Sequence, residues 1–249
     1  MSISGKVFLI TGGTRGMGRH IAERASLAGA KVIVSGRTAP NSKYGIDFFP
    51  CDVTSETQVE TLISYILDKY GNLDMALNNA GITTPHDKLA DSSSAQWTEA
   101  LNVNLTGTYF CLKHEIKAMK TGNGGSIVNM SSAAGVLPIG SQAAYVTTKS
   151  AIIALTKSAA IDYATDSQQD KLVRINAVAP GPIVGGMNSN ENLEANPIHT
   201  ARKLGVTAMK RFGSADEVAN AVIWLLSSDS SYITGSVISI DGGYSSGKF

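Results

Sequence analysis

The chain has 249 residues, 43% of them hydrophobic, and a formal net charge of +1. That is enough apolar material for one substantial core, and too little net charge to draw the chain to nucleic acid or to an anionic membrane. Two cysteines, Cys51 and Cys111, are too few for a disulfide framework and suit a reducing, cytoplasmic compartment.

The opening "MSISGKVFLITGG" reads as a first strand running into glycines rather than a signal peptide, and no apolar run approaches membrane-spanning length. In chain order, apolar runs at 6–11, 31–35, 46–49, 73–79, 126–130, 173–179 and 237–240 read as seven strands. Most look buried on both faces, as strands of a parallel sheet are. Helical patterns at about 16–28, 55–70, 95–119, 143–164 and 214–227 separate most of them. In "TSETQVETLI", Thr54 or Ser55 precedes Glu and Gln in a capping arrangement. Between the second and third strands, "GRTAPNSKYG" is too short and too rich in Pro, Gly and Asn for a crossover helix, so a loop is expected. The alternation predicts an α/β architecture: a Rossmann-type doubly wound seven-stranded parallel sheet flanked by helices, with right-handed crossovers. No repeat, linker or low-complexity tract divides it, so residues 1–249 read as a single domain. The stretch from about 184 to 212 is polar, Asn-rich and irregular, and is a candidate substrate-binding loop or lid.

The first strand–helix junction, "LITGGTRGMGRHIAERASLAGA", places Gly12, Gly16 and Gly18 where the backbone turns sharply and its amides approach a phosphate. The following helix points its N-terminal amides and positive dipole end at a bound anion. Such a cluster can also be a plain turn, but its position after an N-terminal strand favours a dinucleotide site. The second strand ends in Ser35, Gly36 and Arg37, with no carboxylate for a free ribose 2′-hydroxyl. Arg37 and Arg15, where not merely solvated, suit a 2′-phosphate, so NADP(H) is the expected cofactor.

Further on, "NNAG" closes the fourth strand, "NMSS" the fifth, and "YVTTK" opens a helix with Tyr145 one turn before Lys149. A ketone that accepts a hydride becomes an alkoxide and needs a proton. Tyr145 is the natural donor, although a free phenol titrates near 10. Lowering that by about three units needs about 4 kcal/mol of differential stabilisation. A lysine on the same helical face, together with the positive charge of an oxidised nicotinamide in a partly dry cleft, could supply it. Taken singly, each of these residues also has an ordinary structural reading.

Taken together, "TGGTRGMG" (11–18), "CDV" (51–53), "NNAG" (78–81), "NVNL" (102–105), "NMSS" (129–132), "YVTTK" (145–149), "APG" (179–181), "ITG" (233–235) and "DGG" (241–243) give the chain a close likeness to a known family. It resembles the single-domain short-chain dehydrogenase/reductases over nearly its whole length. That resemblance implies catalytic roles for Asn104, Ser132, Tyr145 and Lys149, with Ser132 rather than Ser131 at the family's spacing before the tyrosine. Ser132 would hold the carbonyl oxygen, and Asn104 would bend its helix and fix a water relaying protons to Lys149. It also implies cofactor contacts from Gly12, Thr14, Arg15, Gly16, Met17, Gly18, Arg37, Asp52, Val53, Asn78, Ala80, Gly81, Tyr145, Lys149, Pro180, Gly181 and Ile183. Asp52 and Asn78 would lie near the adenosine, and Pro180 to Ile183 near the nicotinamide. Gly185 stands where family members often have a threonine that touches the nicotinamide amide.

No metal site is expected, since His20, His86, His114 and His199 lack ligand spacing. A serine hydrolase is disfavoured because "NMSSAAG" lacks the G-x-S-x-G elbow. Leu137, Pro138, Ile139, Met187, Leu193 and Met209 suit a moderately hydrophobic ketone or alcohol. The function expected is NADP(H)-dependent interconversion of a ketone and a secondary alcohol, in a carbonyl reductase or alcohol dehydrogenase. The alternatives are a 3-oxoacyl-carrier-protein reductase, for which Lys113, Lys117 and Lys120 could meet an acidic carrier, and a non-catalytic NADP(H) sensor. The resemblance also implies a homo-oligomer, a tetramer or dimer.

Overall fold

The computed structural model describes residues 2–40, 44–164, 171–185 and 190–247. Met187 and the side chain of His199 lie outside them. Seven strands form one sheet in the order β3-β2-β1-β4-β5-β6-β7, every neighbouring pair parallel. They are β1 (Val7–Thr11), β2 (Lys31–Gly36), β3 (Asp47–Pro50), β4 (Met75–Asn78), β5 (Gly125–Met130), β6 (Val173–Pro180) and β7 (Val237–Ile240). Each matches a run read from sequence. Strand order reverses between β1 and β4, where Thr11 pairs with Asn78. In an open parallel sheet the crevice beyond such a switch is where ligands bind.

The two-sided burial has a simple cause. Along β1, Phe8 and Ile10 face helices α1 (Gly16–Leu27) and α9 (Ala215–Leu226), while Val7 and Leu9 face α2 (Glu56–Tyr70) and α4 (Gly107–Thr121). Successive strand side chains point to opposite faces, so a strand between two helical layers must be apolar at nearly every position. Each wholly buried Leu, Ile or Phe contributes about 1.5–3 kcal/mol of transfer free energy.

The remaining helices are α3 (Ser94–Ala100), α5 (Ala133–Val136), α6 (Ala143–Tyr163), α7 (Asn190–Ala195) and α8 (Pro197–Gly205). Three expectations are corrected here. The helix read over 95–119 is not continuous: a π-helical turn at Leu101–Thr106 separates α3 from α4. Nor is the 184–212 segment simply irregular. It leaves the sheet at Ile183, forms α7 and α8, and returns at Gly213, which pairs with Ile183. The capping arrangement before α2 does not form: Ser55 makes no side-chain cap bond, and Gln58 accepts from the Asp52 amide at 2.9 Å. The reciprocal box occurs at α9 instead, between Ser214 and Glu217. Between β2 and β3 the described residues contain no helix, as the composition of that stretch predicts.

Candidate active site

Every sequence-predicted site residue lies at or just past the C-terminal end of a strand, or on the helices that follow. Thr11 leads into the 12–18 loop, Gly36 into Arg37, Pro50 into Asp52, Asn78 into Ala80 and Gly81, Met130 into Ser132, and Pro180 into Gly181 and Ile183. Parallel strands put all of these ends on one edge of the sheet.

The glycine loop is held from the switch point. The Thr11 hydroxyl accepts from the backbone amides of Asn79 (3.1 Å) and Ala80 (3.2 Å). The Asn79 side chain donates back to the carbonyls of Thr11 (3.2 Å) and Gly12 (3.0 Å). A Cβ on Gly12 would lie 2.8 Å from the Ala80 Cα, so the loop can approach β4 this closely only as glycine. Thr14 packs beneath Gly36, and Met17 packs on the core. Helix α1 starts at Gly16 with no side-chain cap and no acidic residue in its first turn. Its first amides have no partner within the helix, and the helix's own first turn carries no acid to repel an anion.

Arg15 and Arg37 are both exposed at this end. The Asp52 carboxylate is held below its ordinary range by the Thr54 amide (3.0 Å) and hydroxyl (2.8 Å), with the charge of Arg37 helping. Val53 is buried against Gly107 and offers the rim only its backbone. The Asn78 side chain likewise turns inward, donating to Glu115 at 2.9 Å and Asn129 at 3.0 Å. Asn79 and Ala80 are the residues that touch the loop.

On α6, Tyr145, Thr148, Lys149, Ile152 and Thr156 recur at three- and four-residue spacing on the inward face. Lys149 is buried and donates to the Met130 carbonyl at 2.8 Å, with its ammonium 5.8 Å from the centre of the Tyr145 ring. Burial pulls the Lys149 pKa down to about 8. Burial pushes the Tyr145 phenol up, and the neighbouring Ser132 hydroxyl pulls it back. Ser131 is committed to the Lys149 carbonyl at 2.8 Å, so of the two adjacent serines Ser132 is the one left for the phenol. Ser132 also caps α5, accepting from the Ala134 amide at 3.2 Å.

Asn104 sits wholly buried in the π turn. Its side chain grips the Ile82 amide (2.8 Å) and carbonyl (3.0 Å), and donates to Thr148 at 3.1 Å, whose hydroxyl donates to the Tyr145 carbonyl at 2.8 Å. The chain segment after β4 and the start of α6 are thus tied through one amide. At the other rim Ile183 is buried, and the Gly181 amide donates to Ile240 at 3.0 Å. Gly185 has φ +105°, which a threonine would adopt only under strain.

Sequence reasoning marks the stretch from Ala133 to Gln142 as shaping the substrate side, but gives Gly135 and Gln142 no role of their own. A Cβ on Gly135 would fall 2.7 Å from the Lys149 carbonyl carbon, so this glycine lets α5 lie against α6 at the lysine. Gln142, buried before Tyr145, donates to the Thr83 hydroxyl and the Thr84 carbonyl, both at 3.2 Å. The positive φ of the preceding Ser141 (+64°) marks how tightly that corner is drawn. A glycine soon after a serine pair was visible in sequence; nothing there announced the glutamine.

A family profile described as "Enoyl-(Acyl carrier protein) reductase" matches residues 12–245. The 2,5-dichloro-2,5-cyclohexadiene-1,4-diol dehydrogenase of Sphingobium indicum is 35% identical over 257 residues, covering 97% of this chain and 98% of its own. The chain belongs to the short-chain dehydrogenase/reductase family. It is therefore an oxidoreductase by family. Among solved structures, ElxO with NADP bound superposes with a TM-score of 0.90 at 35% identity, over 98% of this chain and 100% of that one. An NAD+-bound xylitol dehydrogenase superposes at 0.87 and 30% identity, over 98% and 100%. Members of the family with this fold thus carry either nucleotide.

Proposed function

We propose that this protein interconverts a ketone and a secondary alcohol with NADP(H), using Tyr145 as the general acid and base. The observation that carries the reading is the Tyr145 ring 5.8 Å from the buried Lys149 ammonium, with the Ser132 hydroxyl acting on the same phenol. When bound, the nicotinamide supplies or accepts the hydride. The protein's own residues do the rest. Ser132 donates to the substrate oxygen, which lies within reach of the neighbouring phenol. Tyr145 gives that oxygen a proton in reduction and takes one in oxidation. Lys149, charged at neutral pH, favours the phenolate and so lowers the cost of both transfers. Asn104 holds Ile82 and Thr148, and through them the register of α6 against the nucleotide rim; a water on its carbonyl side would link Lys149 to solvent.

The fit to a dinucleotide rests on the uncapped start of α1 and the close Gly12–Ala80 approach. Gly12, Thr14, Arg15, Gly16, Met17 and Gly18 would cradle the pyrophosphate, with Asp52 and the backbones of Val53, Asn78, Ala80 and Gly81 at the adenosine side. Pro180, Gly181 and Ile183 would meet the nicotinamide. The missing carboxylate at the end of β2 and the exposed Arg15 and Arg37 favour the 2′-phosphate. The segment between Ile183 and Gly213 would cover a moderately apolar substrate. Exposed Tyr109 on α4 and Ile161 on α6 support a homo-oligomer, a tetramer or dimer, and two buried free thiols suit a cytoplasmic protein. No helix among the described residues is long and apolar enough to cross a membrane.

A second reading, reduction of a 3-oxoacyl group on a carrier protein, draws on the family profile's description and the exposed Lys117. Lys113 is not free for such a partner, because it donates to Glu56 on α2 at 2.6 Å. The test follows nicotinamide absorbance with NADPH or NADH against a panel of ketones and acyl thioesters, with Tyr145→Phe as control. Turnover with NADPH that the substitution removes supports the proposal. NADH preference would overturn the cofactor, and acyl-carrier turnover weakened by Lys117→Glu would favour the second reading.

A further inference from the structure

Beneath the site lies a row of buried polar groups that the proposed chemistry does not use. Thr156 on α6 donates to the Ile152 carbonyl at 2.7 Å, so its oxygen can only accept from Asn129, whose Nδ2 lies 2.9 Å away. That fixes the Asn129 amide, which presents Oδ1 to Asn78; Asn78 must then present its NH2 to both Asn129 (3.0 Å) and Glu115 Oε2 (2.9 Å). The polarity of the row is thus set from α6 to α4. At its end two buried atoms have no partner: Asn78 Oδ1 and Glu115 Oε1.

These two orphans belong to the two partners of one hydrogen bond. With Glu115 ionised, both are acceptors and both go unsatisfied, each at a real cost. A single proton on Oε1 supplies the one donor the row lacks, and the vacant acceptor is on the amide that Glu115 already holds. We propose that Glu115 is kept as a neutral carboxylic acid clasping the Asn78 side chain at two points, and that it is a positioning residue for the end of β4.

The surroundings agree. Burial pushes the Glu115 carboxyl up to about 8, with only the Asn78 bond acting against it. Among the described residues no cation compensates. Its helix neighbours Lys113 and His114 turn to Glu56 on α2, and Lys149 from α6 is bound to the Met130 carbonyl. β4 and β5 meet it with Asn78 and Asn129. The titratable group beside it is the Cys111 thiol, itself held far up its range by burial.

The clasp bears on the site because Asn78 is followed directly by Asn79 and Ala80, which bond Thr11 and Gly12. Ionising Glu115 sets two acceptors face to face and loosens that turn. This consequence, unlike the protonation itself, rests on the nicotinamide-nucleotide reading above.

Glu115→Gln tests both parts, since an amide makes the same two-point pair and cannot titrate. In the nucleotide-free protein, the native state binds a proton that the unfolded chain releases between the ordinary glutamate pKa and about 8. The wild type should therefore lose stability relative to Glu115→Gln as pH rises through that window. A melting-temperature difference that stays constant from pH 5 to 9 would overturn the proposal. If the variant fails to fold, the wild type should still show a protonated-carboxyl stretch in the infrared at pH 7 that fades above pH 8; its absence would overturn the proposal too. NADPH and NADH titrations from pH 6 to 9.5 then test positioning. Wild-type affinity should fall about tenfold relative to the variant per pH unit above the Glu115 titration, and parallel curves would overturn the positioning role. If neither nucleotide binds, the cofactor reading fails while the stability measurement still decides the protonation.

Discussion

Lys149 and Glu115 are both sealed from water, and burial drives both toward their neutral forms, the lysine down to about 8 and the glutamate up to about 8. They differ in what lies within reach. Lys149 sits one helical turn from a phenol at the rim, while Glu115 faces amides in the interior. Burial perturbs a titratable group wherever it occurs; proximity to the cleft and to a proton-carrying partner makes the perturbation chemically useful. The two also bend stability with pH in opposite directions. The native state binds more protons than the unfolded chain at Glu115 below about 8, so stability falls as pH rises toward that point. At Lys149 it binds fewer from about 8 up to 10.5, so stability rises through that window.

Substitutions at the two places should separate these roles. Tyr145→Phe removes the proposed proton carrier and should cost about 10²–10⁴-fold in kcat with little change in nucleotide affinity. Ser132→Ala removes the proposed donor to the substrate oxygen and should cost about 10²–10³-fold. Lys149→Met should lower kcat by a comparable factor, and it should also raise the apparent pKa of alcohol oxidation, because the phenolate loses its cation. Its melting temperature relative to wild type should decline between pH 8 and 10.5, the reverse of the trend for Glu115→Gln. Arg37→Ala should weaken NADPH about 10- to 100-fold, the worth of one or two charge-assisted bonds, and leave NADH nearly unchanged. Glu115→Gln has the smallest effect at neutral pH, within about threefold in kcat/KM, because one satisfied pair replaces another.

The strands were legible because two-sided burial writes itself as unbroken apolar runs, and the rim because the glycines and "NNAG" sit at strand ends and the Tyr–Lys pair shares one face of α6. Less was legible wherever a local signal had rivals. Thr54, Ser55 and Glu56 look like a helix cap, yet Glu56 is drawn to Lys113 and His114 and Gln58 to Asp52. The π turn at Asn104 follows from what its side chain grips across the fold, Ile82 and Thr148, which are 22 and 44 residues away. The direction of Asn78 was hidden for the same reason, since Glu115 is 37 residues distant and reads in sequence as a surface helix charge.

The most direct test of the account is a single comparison. Wild type and Tyr145→Phe are each titrated with NADPH and then assayed against the ketone panel by nicotinamide absorbance. The account predicts equal nucleotide binding, turnover by the wild type, and a loss of about 10²–10⁴-fold in the variant. A variant that binds NADPH equally and turns over within about threefold of wild type would contradict the assignment of Tyr145 as the proton carrier.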